Sequence, residues 1–346
     1  MKKIGIIDTC VDMPEELILA AGFIPYRLFG DPTISHEHAD EHVPATHCVW
    51  SRNVLEQGLR GFDNDIVGIV SVHGCDCTNR QFDIWLDCVD IDFMHFLNCP
   101  LKRTEIAKEF YIDDMKELID HMENYFNIEI TDEKIWENIR LVNKIRNLLR
   151  EISEYRNKMI LKTSEFHNII KNVMISDRKE SLEMLNKKVE SLKSKEPLLN
   201  KNLKKVLITG SLIDDTSFLE HMEESGYQIV IDDLCIGLHY FWRTVNESHT
   251  DPLQALADYH LNKPLYSTKI PSHSRYEFIE ELIKKYKVDG IINIAQKFCE
   301  TILYDHPFMN KKFRERGIPY LFIEKEYNKE AYKQLKTRFE AFAEII

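Results

Sequence analysis

Short β-branched and aromatic runs fall in two groups, one towards each end of the chain. The basic stretch between them, 139–205, holds no glycine and a single proline, Pro197. That division confines strands to the flanks and makes the centre helical, because glycine and proline are the residues that interrupt helices most. The first group comprises 4–8, 25–29, 65–72 and 91–97; the second comprises 205–209, 228–232, 290–295 and 319–324. Asp12, Pro14 and Glu15 open a helix over 14–21 that Gly22 ends. Further helices are expected at 81–90, 215–225 (closed by Gly226), 275–286 and 329–345. In the centre Ile135, Ile139, Val142, Ile145, Leu149 and Ile152 recur every three or four residues, behind a cap and first-turn acids at Thr131-Asp132-Glu133. This spacing predicts one or two long amphipathic helices over roughly 131–172 and 177–195. Strands alternating with helices imply parallel sheets with helices on both faces. The expected fold class is therefore α/β: two flavodoxin- or Rossmann-like parallel-sheet units, 1–110 and 204–346, with a helical segment, 111–203, between them.

Charge is divided as sharply as structure. Residues 1–100 carry a net charge of −10 and residues 139–205 a net charge of +9, within a total of −12 over 346 residues. The acidic total argues against a general nucleic-acid binder, which needs a basic footprint. The basic centre reads either as a solvated helix face or as a docking surface for an acidic partner or anionic ligand. No apolar run approaches the roughly 18–20 residues of a membrane span. The amino terminus turns polar too soon for a signal peptide, so a cytoplasmic protein with reduced cysteines is expected.

Six of the eight cysteines (Cys10, Cys48, Cys75, Cys77, Cys88 and Cys99) lie in the first 100 residues, and the last two are Cys235 and Cys299. Most follow strand exits: Cys10 after 4–8, Cys75 and Cys77 after 65–72, Cys99 after 91–97, Cys235 after 228–232 and Cys299 after 290–295. Cys48 lies in a loop before Trp50, and Cys88 reads as a core residue of the helix at 81–90. In open parallel sheets, sites form beyond the carboxyl ends of strands. If the two sheets face each other across a cleft, these thiols converge on it. No CxxC pair is present, which disfavours structural zinc and thioredoxin-type redox chemistry. Dispersed single cysteines suit an iron–sulfur cluster in that cleft; buried inert thiols are the competing reading. Two further motifs bear on chemistry. The segment 35–42, with His36, His38, His42 and nearby His47, reads either as a solvated acidic loop or as a zinc or iron hydrolytic site. Thr209-Gly210-Ser211 lacks the glycine series and lysine of a nucleotide cradle, which argues against ATP binding but leaves room for a phosphate near the next helix.

Several ordered motifs carry a resemblance. Cys10-Val11-Asp12-Met13-Pro14-Glu15-Glu16-Leu17 runs on to Gly22-Phe23-Ile24-Pro25; Cys48 precedes a polar helix; and Cys75-Asp76 stands ahead of Arg80. Ile208-Thr209-Gly210-Ser211, Asp232-Asp233-Leu234-Cys235-Ile236-Gly237, Gln296-Lys297-Phe298-Cys299-Glu300 and Gly317-Ile318-Pro319 follow in order. Over nearly its whole length the chain resembles the large subunits of 2-hydroxyacyl-CoA dehydratases, a family that also takes in benzoyl-CoA reductase subunits and double-cubane cluster proteins. The resemblance implies that Cys48, Cys75 and Cys299 bind a [4Fe–4S] cluster with one iron open to water or a substrate oxygen. It implies an ATP-dependent activator with its own cluster, a homodimer or a heterodimer with a homologous subunit, and an acyl-CoA substrate. One-electron reduction of the thioester gives a ketyl radical, water is lost and the electron is recovered: an oxygen-sensitive lyase of anaerobic metabolism.

The resemblance also implies alternatives. Double-cubane members hold an [8Fe–9S] cluster with six cysteines; Cys10, Cys48, Cys75, Cys235 and Cys299 match five of the places. The sixth, around 265–270, is absent, leaving Cys77 as a substitute. A low-potential reductase of small molecules and a non-catalytic partner subunit are the other functions implied. The family's usual arginine is replaced by His239 and its late aspartate by Glu326, and the first strand begins so early that substrate-covering helices are not expected. By proximity alone Glu300, His73 and His239 are candidate acids or bases.

Overall fold

The computed structural model describes residues 1–9, 12–62, 65–197, 203–269, 271–328 and 331–346. Eight strands form within these residues: β1 (Lys3–Ile7), β2 (Ile24–Arg27), β3 (Ile66–Val72), β4 (Met94–Leu97), β5 (Lys204–Gly210), β6 (Tyr227–Asp233), β7 (Gly290–Gln296) and β8 (Tyr320–Lys325). They make two four-stranded sheets with orders β2-β1-β3-β4 and β6-β5-β7-β8, in which every pairing is parallel. The second sheet thus repeats the order of the first, and the expected α/β class holds. In each sheet the chain steps to one side and then crosses back, so strand order reverses between β1 and β3 and between β5 and β7. Such reversals open crevices at the carboxyl ends of the strands.

The helices are α1 (Glu15–Ala20), α2 (Val49–Arg60), α3 (Asp76–Cys88), α4 (Glu105–Phe126), α5 (Asp132–Asn157), α6 (Thr163–Ile175), α7 (Arg178–Lys193), α8 (Thr216–Glu224), α9 (Leu238–Phe241), α10 (Pro252–Leu261), α11 (His273–Tyr286), α12 (Glu300–Glu315) and α13 (Ala331–Ile345). None among the described residues is long and apolar enough to cross a membrane. The apolar stripe from Ile135 to Ile152 on α5 is fully buried, and the Thr131 hydroxyl caps it by accepting the Lys134 N–H at 3.3 Å.

Two helix expectations are corrected. The helix drawn over 131–172 is broken, because a neighbouring strand caps it from outside: the Gln228 amide on β6 donates to the carbonyls of Arg156 and Asn157 at 2.9 and 3.2 Å. Glu223 then accepts the Thr163 N–H at 2.6 Å and starts α6. At the first helix, Asp12 is no cap. Pro14 holds the N-cap position without a side-chain bond, and Asp12 pairs instead with the Lys263 and Lys269 ammonium groups at 2.6 and 2.8 Å.

The charge division has a structural use. Arg146 of the basic centre meets Glu16 at 2.8 Å, Arg178 meets Glu15, and Arg156 meets Asp232 at 2.7 Å, all six residues being buried. Part of the central positive charge is therefore consumed in joining the helices to both sheets. Burial opposes ionisation of Asp12 and Asp232, but Lys263 and Lys269 for the first and Arg156 for the second outweigh it and hold both carboxyls well below the ordinary 3.8. A depressed folded-state value contributes stability that is complete above the unfolded value and lost as pH falls below it. The urea midpoint should accordingly fall progressively below about pH 4; a midpoint that holds steady to pH 2 would show that these pairs contribute nothing.

Gly210 closes β5 with φ +133°, and a Cβ there would lie 1.9 Å from the Ile294 carbonyl oxygen. Only glycine permits that approach. Gly210→Ala is expected to cost about 3 kcal/mol or more in urea unfolding, through backbone strain and separation of β5 from β7.

Candidate metal centre

Cys48, Cys75 and Cys299 occupy equivalent positions: each is the N-cap residue of a helix, α2, α3 and α12 respectively. Helix N-termini present unpaired N–H groups and a partial positive charge, which favour thiolate and any anionic group the thiolates bind. All three line one cavity of about 490 Å³, together with Thr9, Thr78, Gly210, Ser211, Gln296 and Thr301. Thr9, Cys75 and Thr78 come from the reversal point of the first sheet, and Ser211, Gln296 and Cys299 from that of the second. The two crevices face each other and share one site.

Hydroxyls surround the sulfurs. Thr78 Oγ1 lies 3.5 Å from the Cys75 thiol and Thr301 Oγ1 3.6 Å from the Cys299 thiol, with Ser211 also against Cys299. The backbone N–H groups of Ser51 and Trp50 point at Cys48. The neighbouring Cys77 thiol, followed by the Thr78 hydroxyl, lowers Cys75 to about 6. Burial, then the proximity of Cys299 and Cys75, pushes the Cys48 thiol up; burial, then Cys75, does the same to Cys299. Three thiolates in this space repel one another, so a positively charged centre is what lets all three ionise. Among the described residues no three His, Cys, Asp or Glu side chains are close enough to share a single metal ion. Thiols spread around a cavity instead suit a polynuclear iron–sulfur group, in which each iron takes its own thiolate.

The remaining cysteines lie elsewhere. Cys77, on the first turn of α3, sits against Cys75 and Cys48 without lining the cavity. Cys235 is buried with its sulfur 4.0 Å from Arg27 Nη2 and beside Tyr266. Cys99 is buried 3.4 Å from the Lys269 ammonium. Cys88, expected in the core, is exposed at the end of α3, its sulfur 3.6 Å from His42 Nδ1; the hydrophobic face of that helix is carried by Phe82 and Trp85. Cys10 lies outside the described residues.

The histidine-rich segment does not converge. His38 binds Glu56 at 2.8 Å, His36 binds Asn53 at 3.3 Å, His47 binds Ser51 at 3.2 Å and His42 turns to Cys88. No phosphate place opens at α8, because the Asp215 carboxylate caps it through the Ser217 N–H at 3.0 Å. Among the acid–base candidates, His239 is fully buried, bonded to Asp233 at 2.7 Å and packed on Tyr266. Glu300 is exposed on the first turn of α12, and Glu326 pairs with Lys297. His73 lines an open vestibule of about 1000 Å³ that reaches Cys75 and Thr301. The vestibule is walled by Asp76, Lys269, Tyr276 and Asp305, with the exposed rings of Tyr304 and Phe308 at its rim.

Sequence reasoning missed the residue that joins the two halves of this site. Asp214, just after β5, accepts hydrogen bonds from the Gly30 N–H (2.7 Å), Trp50 Nε1 (2.8 Å) and the Tyr327 hydroxyl (2.6 Å). Trp50 is two residues beyond Cys48. The Val49 N–H also donates to the Lys297 carbonyl at 3.3 Å, directly linking the Cys48 and Cys299 segments. The acidic pair Asp214-Asp215 after a strand was the available signal.

Comparison with known proteins adds to this geometry. A family model described as 2-hydroxyglutaryl-CoA dehydratase, D-component, matches residues 10–346. The chain is 29% identical to the (R)-phenyllactyl-CoA dehydratase beta subunit of Clostridium sporogenes, over 96% of this chain and 89% of that protein. It is 25% identical to the beta subunit of (R)-2-hydroxyglutaryl-CoA dehydratase of Acidaminococcus fermentans, over 100% of this chain and 92% of that protein. Identity to one of the benzoyl-CoA reductase subunits of Thauera aromatica is 22%, over 97% of this chain and 90% of that protein.

Proposed function

Because this chain belongs to the 2-hydroxyglutaryl-CoA dehydratase D-component family, we propose that it is the cluster-bearing subunit of a radical 2-hydroxyacyl-CoA dehydratase. In this reading Cys48, Cys75 and Cys299 hold a [4Fe–4S] cluster, a homologous subunit completes the enzyme, and an ATP-dependent activator with its own cluster supplies the electron. The observation that carries it is the meeting of three helix N-cap cysteines around one cavity between two sheet reversal points. When bound, the cluster supplies low-potential one-electron chemistry and, at an iron without a thiolate, a Lewis-acid position.

The chain's own residues supply the rest. The helix starts and hydroxyls at Thr78, Ser211 and Thr301 stabilise negative charge on the ligands. The vestibule gives an acyl thioester a route to the side of the cavity formed by Cys75 and Thr301, past the Tyr304 and Phe308 rings. Burial, then the Lys269 charge, keeps His73 below its ordinary 6.5. It is thus a neutral imidazole at neutral pH, able to take or return a proton. A single cubane is favoured over the double cubane because the space around Cys235 is filled by Arg27 and Tyr266.

The test is anaerobic quantitation of iron and acid-labile sulfide on the reconstituted chain. About four of each per chain supports the reading, about eight supports the double cubane, and a colourless protein without iron overturns both.

A further inference from the structure

Cys77 has contacts that neither a cluster ligand nor an inert core thiol requires. It is the second residue of α3, half-buried, and does not line the cavity that Cys48, Cys75 and Cys299 share. Its thiol nevertheless makes a hydrogen bond with the Cys75 thiol and takes the backbone N–H of Cys48. Cys77 therefore bridges the two ligand segments of the first sheet, tying the start of α2 to the start of α3.

We propose that Cys77 is a positioning residue that holds Cys75 by donating its S–H to the Cys75 sulfur, and thereby sets the reduction potential of the group bound there. The inference rests on the cluster reading above. A ligating Cys75 is a thiolate with no proton to give, so between the two thiols only Cys77 can donate. The Cys48 N–H fixes the orientation of Cys77 from the other side. A donor to a ligand sulfur withdraws charge from the cluster and stabilises its reduced form, raising its potential. A serine keeps a donor at this position; an alanine removes it.

The test is an EPR-monitored redox titration of the anaerobically reconstituted full chain, as wild type, Cys77→Ala and Cys77→Ser, with iron counted in each. All three should retain about four irons. The alanine variant should titrate at lower potential, its reduced-to-oxidised ratio at the wild-type midpoint falling about tenfold, equivalent to 59 mV for one electron. The serine variant should recover at least half of that shift. A midpoint unchanged in Cys77→Ala, or a serine variant indistinguishable from alanine, overturns the proposal. Loss of iron confined to the Cys77 variants overturns it in favour of a fourth ligand. Absence of iron from the wild type as well would instead remove the cluster reading on which it rests.

Discussion

Replacing Cys75 with alanine empties the site: iron in anaerobically reconstituted protein drops from about four atoms per chain to below one. Cys48→Ala and Cys299→Ala do the same. The expectation is all-or-none because the three thiols come from three helix starts on two sheets, and none has a spare donor in its own segment that lines the cavity. Cys77 is the nearest sulfur to Cys75, but it faces the Cys48 backbone rather than the cavity. Two controls separate ligand loss from general damage. Cys88→Ala, at an exposed site, leaves the iron content unchanged. Cys235→Ala also leaves it unchanged if the cluster is a single cubane, and halves it if Cys235 holds a second one. The metal-free variants should keep their far-UV circular dichroism, since both sheets and their cores close without the cluster. Retention of more than about half the iron in any one of the three alanine variants would remove that cysteine from the ligand set.

The sheets were legible because a buried parallel strand must be a short β-branched run, and those at 4–8, 65–72, 205–209, 228–232 and 290–295 were bounded by polar or glycine-containing segments. The candidate ligands were legible as strand exits, although their further shared property, an N-cap position, needed the helix starts at Val49, Asp76 and Glu300. What could not be read was anything decided across the chain. The break after Asn157 carries no glycine or proline; it exists because Gln228, more than seventy residues on, offers a better partner to the last carbonyls than another helical turn would. Asp12 had the pattern of a helix cap, but two ammonium groups from the loop around Lys263 and Lys269 outbid the local N–H groups. Local signals set element type. Long-range polar contacts set where elements stop and how the halves of the site meet.

Asp214 is the test of that last point. Its carboxylate is 1% exposed and receives three donors, two from the first sheet's side (Gly30 and Trp50) and one, Tyr327, that follows β8. A hydrogen bond to a charged acceptor contributes about 1.5–3 kcal/mol, and a buried donor left alone costs about 1–3 kcal/mol. These losses overlap, so Asp214→Ala is expected to cost about 3–5 kcal/mol in urea unfolding. Asp214→Asn should fall between, because an amide keeps one acceptor oxygen but turns an NH2 towards groups that are themselves donors. The change should reach the metal site as well. Without Asp214, Trp50 loses its anchor and the start of α2, with Cys48, is held to the Cys299 segment mainly by the Val49 N–H on the Lys297 carbonyl. Near-UV circular dichroism should report looser tryptophan packing, and bound iron should be lost faster to a chelator even under conditions where the variant is fully folded. If Asp214→Ala costs less than about 1 kcal/mol and holds iron as the wild type does, the two crevices are aligned by packing alone.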